Sequence, residues 1–270
     1  MRRSVLIWVV AVSCAPIASA QFSPNPFGTY NELGVPDYLE PVGDVIPAAF
    51  YDWMDTQLPE RTPLDLDSLP PSVGQELHFT QPSDVWMTFV HEGAGYRNSV
   101  GFYTYETGSA PATVDDIDSA YEVFPNFSYA GSGGGLESGD KVYLGNFPAG
   151  TSMGTYLTQH GWQTSALDTF YATAFFNPES DPALKRHVVS IYNEAYDLFV
   201  IGFEDLPRDS SMSDDDFNDA VFYFTVRGEA YTGAQTVPEP SALLLAFAGF
   251  LTFALRRRRV AREFGDLPFR

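Results

Sequence analysis

The sequence predicts an all-β fold, an antiparallel β-sandwich of jelly-roll-like arrangement, over residues 75–230. Three observations carry that expectation. Short segments rich in Val, Ile, Phe, Tyr and Thr recur along this stretch, and clusters of Gly, Asn, Asp and Pro separate them. The whole chain of 270 residues holds 22 Gly and 20 Pro, which suits a fold with many turns. Hydrophobic residues make up 44% and aromatic residues 15%, enough for a real core and too apolar for disorder throughout.

The N-terminal element is a signal peptide, residues 1–20. Arg2 and Arg3 precede the apolar run LIWVVAV, and the small residues Ala18 and Ala20 stand before the expected cut. The single cysteine, Cys14, lies inside that run and follows Ala11-Val12-Ser13, a poor lipobox. The mature chain therefore has no disulfide, and its stability must come from its core or from bound ions. Residues 21–74 are proline-rich. Within them Ile46, Phe50, Met54 and Leu58 recur every four residues, which predicts a short amphipathic helix over Asp44–Leu58 docked on the main domain. Asp44 serves as its expected N-cap and Pro47 is tolerated in its first turn. No chemistry is visible in this segment.

Eight strands follow in the expected sandwich: QELHFT, DVWMTFVHE, SVGFYTYET, DKVYLGNF, TFYATAFF, RHVVSIYNE, DLFVIGFEDL and AVFYFTVRG. The GSGGG at Gly131–Gly135 is a loop; it lacks the following helix and the Lys-Ser/Thr pair of a phosphate loop. No internal repeat is visible. A linker, 231–236, leads to an apolar run from Ser241 to Leu255. Its 15 residues fall short of the roughly 20 that span a bilayer comfortably. Arg256, Arg257, Arg258 and Arg259 follow at once and would hold that side in the cytoplasm. The segment reads as a C-terminal transmembrane helix, 241–255, with a cytoplasmic tail, 260–270.

Charge sharpens once the two ends are set aside. Residues 21–236 hold 7 basic and 32 acidic side chains, a formal charge of −25. Such a surface repels nucleic acid and anionic lipid and attracts cations. The densest acids stand in SDDDFNDAVFYF, Ser213–Phe224, where they run directly into an apolar strand. An EF-hand is excluded, because Asp219 occupies the position that needs Gly and Thr225 the position that needs Glu. A calcium site at a strand entrance fits better. Calcium takes six to eight oxygens from carboxylates, amides and carbonyls. Crowded carboxylates repel by roughly a kcal/mol or more per close pair when partly buried, a cost that a divalent ion removes. Asp214, Asp216, Asn218 and Asp219 are the expected ligand loop, with Asp205 and Glu92 as partners from distant sequence. Asn98 and Glu204 are weaker candidates, and Asp215 is expected to point to solvent by alternation.

Two resemblances rest on these residues. Val237-Pro238-Glu239-Pro240, a short apolar helix and the arginine cluster together resemble the PEP-CTERM sorting signal of Gram-negative bacteria. That resemblance implies an exosortase-type sorting enzyme as partner, an inner-membrane intermediate, cleavage near Pro-Glu-Pro, and delivery to the cell surface or extracellular matrix. Val260–Arg270 extends past the arginines, where such signals usually stop. EGAGYRNSVGFYTY (Glu92–Tyr105), FEDLP (Phe203–Pro207) and SDDDFNDAVFYF resemble the domain of unknown function 4114 and the related LruC domain, over roughly Asp84–Val226. That resemblance implies an exported β-domain, often in adhesin-like or surface proteins, whose acidic motifs are suspected of binding calcium.

Catalytic motifs are not visible. His78, His91, His160 and His187 stand alone, without HExxH or GxSxG, and read as surface or strand-edge residues. The expected function is that of an exported, surface- or matrix-associated calcium-binding β-sandwich with a structural or adhesive role. The alternative is a carbohydrate-binding or carbohydrate-active module on extracellular polysaccharide. Its platform would come from Trp86, Tyr96, Tyr103, Tyr105 and Trp162, with Trp162 as the exposed member and Trp86 as packing.

Overall fold

The computed structural model describes residues 23–24, 28–69, 76–117, 119–162 and 166–232. The signal peptide with Ala18 and Ala20, the sorting signal, the expected transmembrane helix 241–255 and the tail lie outside the described residues. Among those described, no helix is long and apolar enough to cross a membrane.

Two antiparallel sheets share one core. The first orders its strands β1 (Ser23–Pro24), β6 (Lys141–Phe147), β3 (Ser83–His91), β11 (Ala220–Arg227), β10 (Leu198–Phe203) and β9 (Val188–Asn193). The second runs β12 (Ala230–Thr232), β2 (Glu76–Phe79), β7 (Thr151–Thr158), β4 (Ser99–Glu106) and β5 (Ser119–Phe124). A short strand, β8 (Thr169–Tyr171), pairs with β7 beyond the end of β2. Among the described strands the chain crosses between the sheets seven times, from β1 to β2, β2 to β3, β3 to β4, β5 to β6, β6 to β7, β8 to β9 and β11 to β12. Phe89, Phe102, Phe124, Phe127, Phe203 and Phe222 meet in the space between the sheets and are fully buried.

All eight expected segments contain a strand, and four further strands appear among the described residues. β7, TSMGTYLT, is not among the expected segments because Ser, Thr and Gly break its apolar alternation. It is nevertheless central in the second sheet. Gly154 is needed there because the Tyr103 ring of β4 lies over it, and a Cβ would stand 2.2 Å from Tyr103 Cζ. The segment TFYATAFF is a strand only as far as Tyr171; Ala174–Phe176 forms a 3-10 turn.

The helix α1 spans Ala48–Gln57, four residues shorter at its start than expected. Pro47 occupies the N-cap position without a side-chain hydrogen bond. Asp44 does not cap it: its carboxylate pairs with Lys141 Nζ at 2.6 Å and accepts the Thr88 and Tyr223 hydroxyls. The apolar stripe behaves as its period demands. Phe50, Met54 and Leu58 are buried against Val90, Val189, Val200, Val221 and Tyr223, on the outer face of the first sheet. A second core therefore lies under α1. β11 is buried on both faces at its start, which explains why AVFYF shows no polar alternation.

Phe50 touches the rings of Trp53, Tyr196 and Tyr223 and is almost wholly buried. Phe50→Ala is expected to lower the free energy of unfolding by about 3–5 kcal/mol, read from urea unfolding followed by circular dichroism. A loss below about 1 kcal/mol would show that α1 does not dock as described.

Candidate metal centre

β10 and β11 pair from Phe199↔Phe224 to Phe203↔Ala220, and at that last pair the two strands part around the loop 204–219. Glu204 and Asp205 leave β10 at this point, and Asp219 enters β11. Glu204 is held by backbone bonds: its N–H donates to the His187 carbonyl at 3.0 Å, and its own carbonyl faces His187 Nδ1 at 3.0 Å. Asp219 N–H donates to the Phe203 carbonyl at 3.1 Å, and Asp205 N–H to Asp219 Oδ2 at 2.9 Å. The three acids are thus placed by the hairpin itself.

The loop then returns two more. Asp215 and Phe217 both take left-handed backbone conformations, with φ of 56° and 60°. Between them Asp216 turns inward, and Phe217 inserts its ring into the second core. The Phe217 carbonyl lies so close to β10 that a Cβ on Gly202 would meet it at 2.3 Å, so only glycine fits that strand position. Asp215 does not point to solvent as alternation suggests. It receives a two-point contact from Arg208, at 2.7 and 3.2 Å, while the Arg208 guanidinium lies over the Phe217 ring.

Two groups of three carboxylates result: Glu204 with Asp214 and Asp216, and Glu204 with Asp205 and Asp219. In each, one oxygen per residue lies within 4.8 Å of the others. Glu204 belongs to both. Its residue is 0% exposed, and neither carboxylate oxygen has a hydrogen-bond partner. The Ser213 hydroxyl comes near, but its bond goes to Asp215 Oδ1 at 3.2 Å. Burial pushes the Glu204 carboxyl up to about 8, with the nearby Ser213 hydroxyl opposing it and the charges of Asp205, Asp214 and Asp216 adding to it. Burial and mutual repulsion also raise Asp205 and Asp219, and burial raises Asp216.

The remaining candidates take supporting places. Asn218 donates through Nδ2 to Asp216 Oδ2 at 3.0 Å and to Glu60 Oε2 at 3.1 Å. Asn98 holds Asp205 Oδ2 at 2.7 Å. Glu92 follows β3, is buried beside Ser132 and Tyr129, and lies outside both groups; burial raises its carboxyl to about 7. The N-terminal segment, which showed no chemistry in the sequence, reaches the site. Arg61 N–H donates to Asp216 Oδ2 at 2.7 Å, and Leu64 N–H to the Asp215 carbonyl at 2.8 Å. No pattern around Glu60 or Arg61 signals this role.

Two histidines are not surface residues. His187 is fully buried, stacks on Phe170 and meets Glu179 at 2.6 Å; His78 is buried against the Ser152 hydroxyl. The aromatic platform also changes. Trp162 is 7% exposed and packs edge-on to Tyr30, so it is not the exposed member, and Tyr103 is buried. Trp86 packs half-buried between Tyr143 and the Arg227 guanidinium.

Comparison with known proteins places this site within a recognised unit. Residues 147–227 match the family model described as a domain of unknown function, DUF4114, and residues 236–259 match the PEP-CTERM protein-sorting motif. The chain carries a DUF4114 domain and a PEP-CTERM sorting signal. The DUF4114 match takes in all five clustered acids but begins after Glu60, Glu92 and Asn98. The PEP-CTERM signal implies an exported protein, processed by an exosortase through a membrane-anchored intermediate. No curated protein and no solved structure matches the chain.

The raised carboxyl of Glu204 has a consequence for the cation-free DUF4114 domain. From its ordinary value of 4.5 up to about 8, the folded state holds a proton that the unfolded state has released. Stability is therefore full below the lower value and is lost as pH rises through the upper one. Asp205 and Asp219 act in the same direction. Burial lowers His91 and His187, which act in the opposite direction, so the cluster is read as a difference: the melting midpoint of chelator-treated wild type relative to Glu204→Gln is expected to fall as pH rises from 5 to 8. A relative midpoint that rises over this interval would contradict the geometry of the acid cluster.

Proposed function

We propose that this protein is an exported β-sandwich of jelly-roll-like form, stabilised by calcium, with a structural or adhesive role at the cell surface or in the extracellular matrix. The single observation that supports the reading is the Glu204 carboxylate, fully buried, without a hydrogen bond, and faced by four aspartates. A buried charge without a partner costs several kcal/mol, and proteins relieve it by pairing or by coordinating a metal. The donors are all oxygens, with no thiol and no imidazole among them, which is the ligand chemistry of calcium rather than of zinc or copper.

The ion would join β10, β11 and the 204–219 loop at one end of the first sheet. Through Asp216 it would also fix the N-terminal segment at Arg61. Its role is then to make the folded state favourable where calcium is available, outside the cell.

A site occupied at a hundredfold excess over Kd adds about 2.7 kcal/mol of stability. For a chain of this size that corresponds to a midpoint shift of about 5–11 °C, at about 2–4 °C per kcal/mol. Chelator is expected to lower the melting midpoint by this order and calcium to restore it. The Asp216→Ala, Asp219→Ala double variant is expected to melt alike with and without chelator. An unchanged wild-type melt after exhaustive chelation would refute calcium stabilisation.

A further inference from the structure

The five acids do not form one ligand shell. Two oxygens bound to the same calcium, each at about 2.3–2.6 Å, stand at most about 5 Å apart. The acids meet that limit as two groups of three that share Glu204, not as one group of five. Both oxygens of Glu204 are unpartnered, so neither is committed to another group. Among the described residues, no Lys, Arg or His forms an ion pair with any of the five, and the nearby Arg208 is committed to Asp215. A single divalent ion would leave three of the five negative charges uncompensated, and two ions would leave one.

We propose that the centre holds two divalent cations of the calcium class, one among Glu204, Asp214 and Asp216 and one among Glu204, Asp205 and Asp219, with the Glu204 carboxylate bridging them. The proposal rests on the reading of this cluster as a calcium site and specifies its stoichiometry. The two positions differ in what they join. Asp205 and Asp219 flank the mouth of the hairpin, so the ion between them closes β10 onto β11. Asp214 and Asp216 belong to the returning loop, so the other ion fastens that loop, and with it Arg61, to the end of β10.

Isothermal titration of the metal-stripped full chain in non-ionic detergent with calcium chloride, checked by equilibrium dialysis, counts the ions. Two calcium ions per chain are expected. Asp214→Asn and Asp219→Asn are each expected to leave one, and Glu204→Gln to weaken both by tenfold or more. A wild-type count of one overturns the bridged pair and leaves calcium stabilisation standing, whereas a count of zero overturns both. A count of two that survives in both aspartate variants places the ions elsewhere and overturns the pair. If a variant loses its strand signal by circular dichroism, the wild-type chain decides the matter through a mixed terbium and europium load. Bridged positions about 4 Å apart quench terbium emission in proportion to the europium fraction, and unquenched emission overturns the bridge.

Discussion

A carboxylate without a hydrogen bond or counter-charge sits where β10 and β11 part, and the rest of this end of the molecule is arranged around it. The position of Glu204 is not adjustable. Its backbone is bonded to His187 on both sides, and β10 is paired along its length with β9 and β11. Movement of the strand to expose the acid would break those ladders and uncover Phe203, which is wholly buried. The fold can therefore accommodate Glu204 only by adding a positive charge next to it, whether a proton or a metal ion.

The surrounding layers serve that placement. The sheet-to-sheet core fixes the inner faces of β10 and β11 through Ile201, Phe203, Phe222 and Phe224. The second core under α1 fixes their outer faces through Val200, Val221 and Tyr223 and captures the Phe217 ring of the loop. Strands buried on both sides are stiff, and a stiff hairpin holds its acids close despite their repulsion. Arg208 adds a further tie by clamping Asp215, the one member of the acidic run that faces away from the cluster.

Much of this was legible in the sequence, and the misses have physical causes. Segments of Val, Phe and Tyr bounded by turn residues located eight strands, and the four-residue period located the buried face of α1. The strand β7 is hidden because its Ser, Thr and Gly break the apolar alternation, and at Gly154 it packs by a tyrosine of β4 laid over the backbone instead of by a side chain of its own. The acidic run pointed to the site and to Asp214, Asp216 and Asp219. Its centre is not legible there: Glu204 reads as a strand-end charge, and only the register of β10 against β11 reveals that it is buried. Glu60 and Arg61 contribute from more than 150 residues away, Arg61 through a backbone N–H, a donor that every non-proline residue possesses.

That last contact bears on the order in which the molecule assembles. Arg61 and Asp216 are 155 positions apart, and Glu60 and Asn218 are 158 apart. Pairings so distant in sequence close late, because a long loop must lose its freedom before they form. A chain exported N-terminus first carries Glu60 and Arg61 across the membrane long before their partners follow. Until the 204–219 loop follows, Arg61 N–H and Glu60 lack these two partners. The joint at Asp216 thus forms only once residues as far as Asn218, nearly the whole domain, are in place.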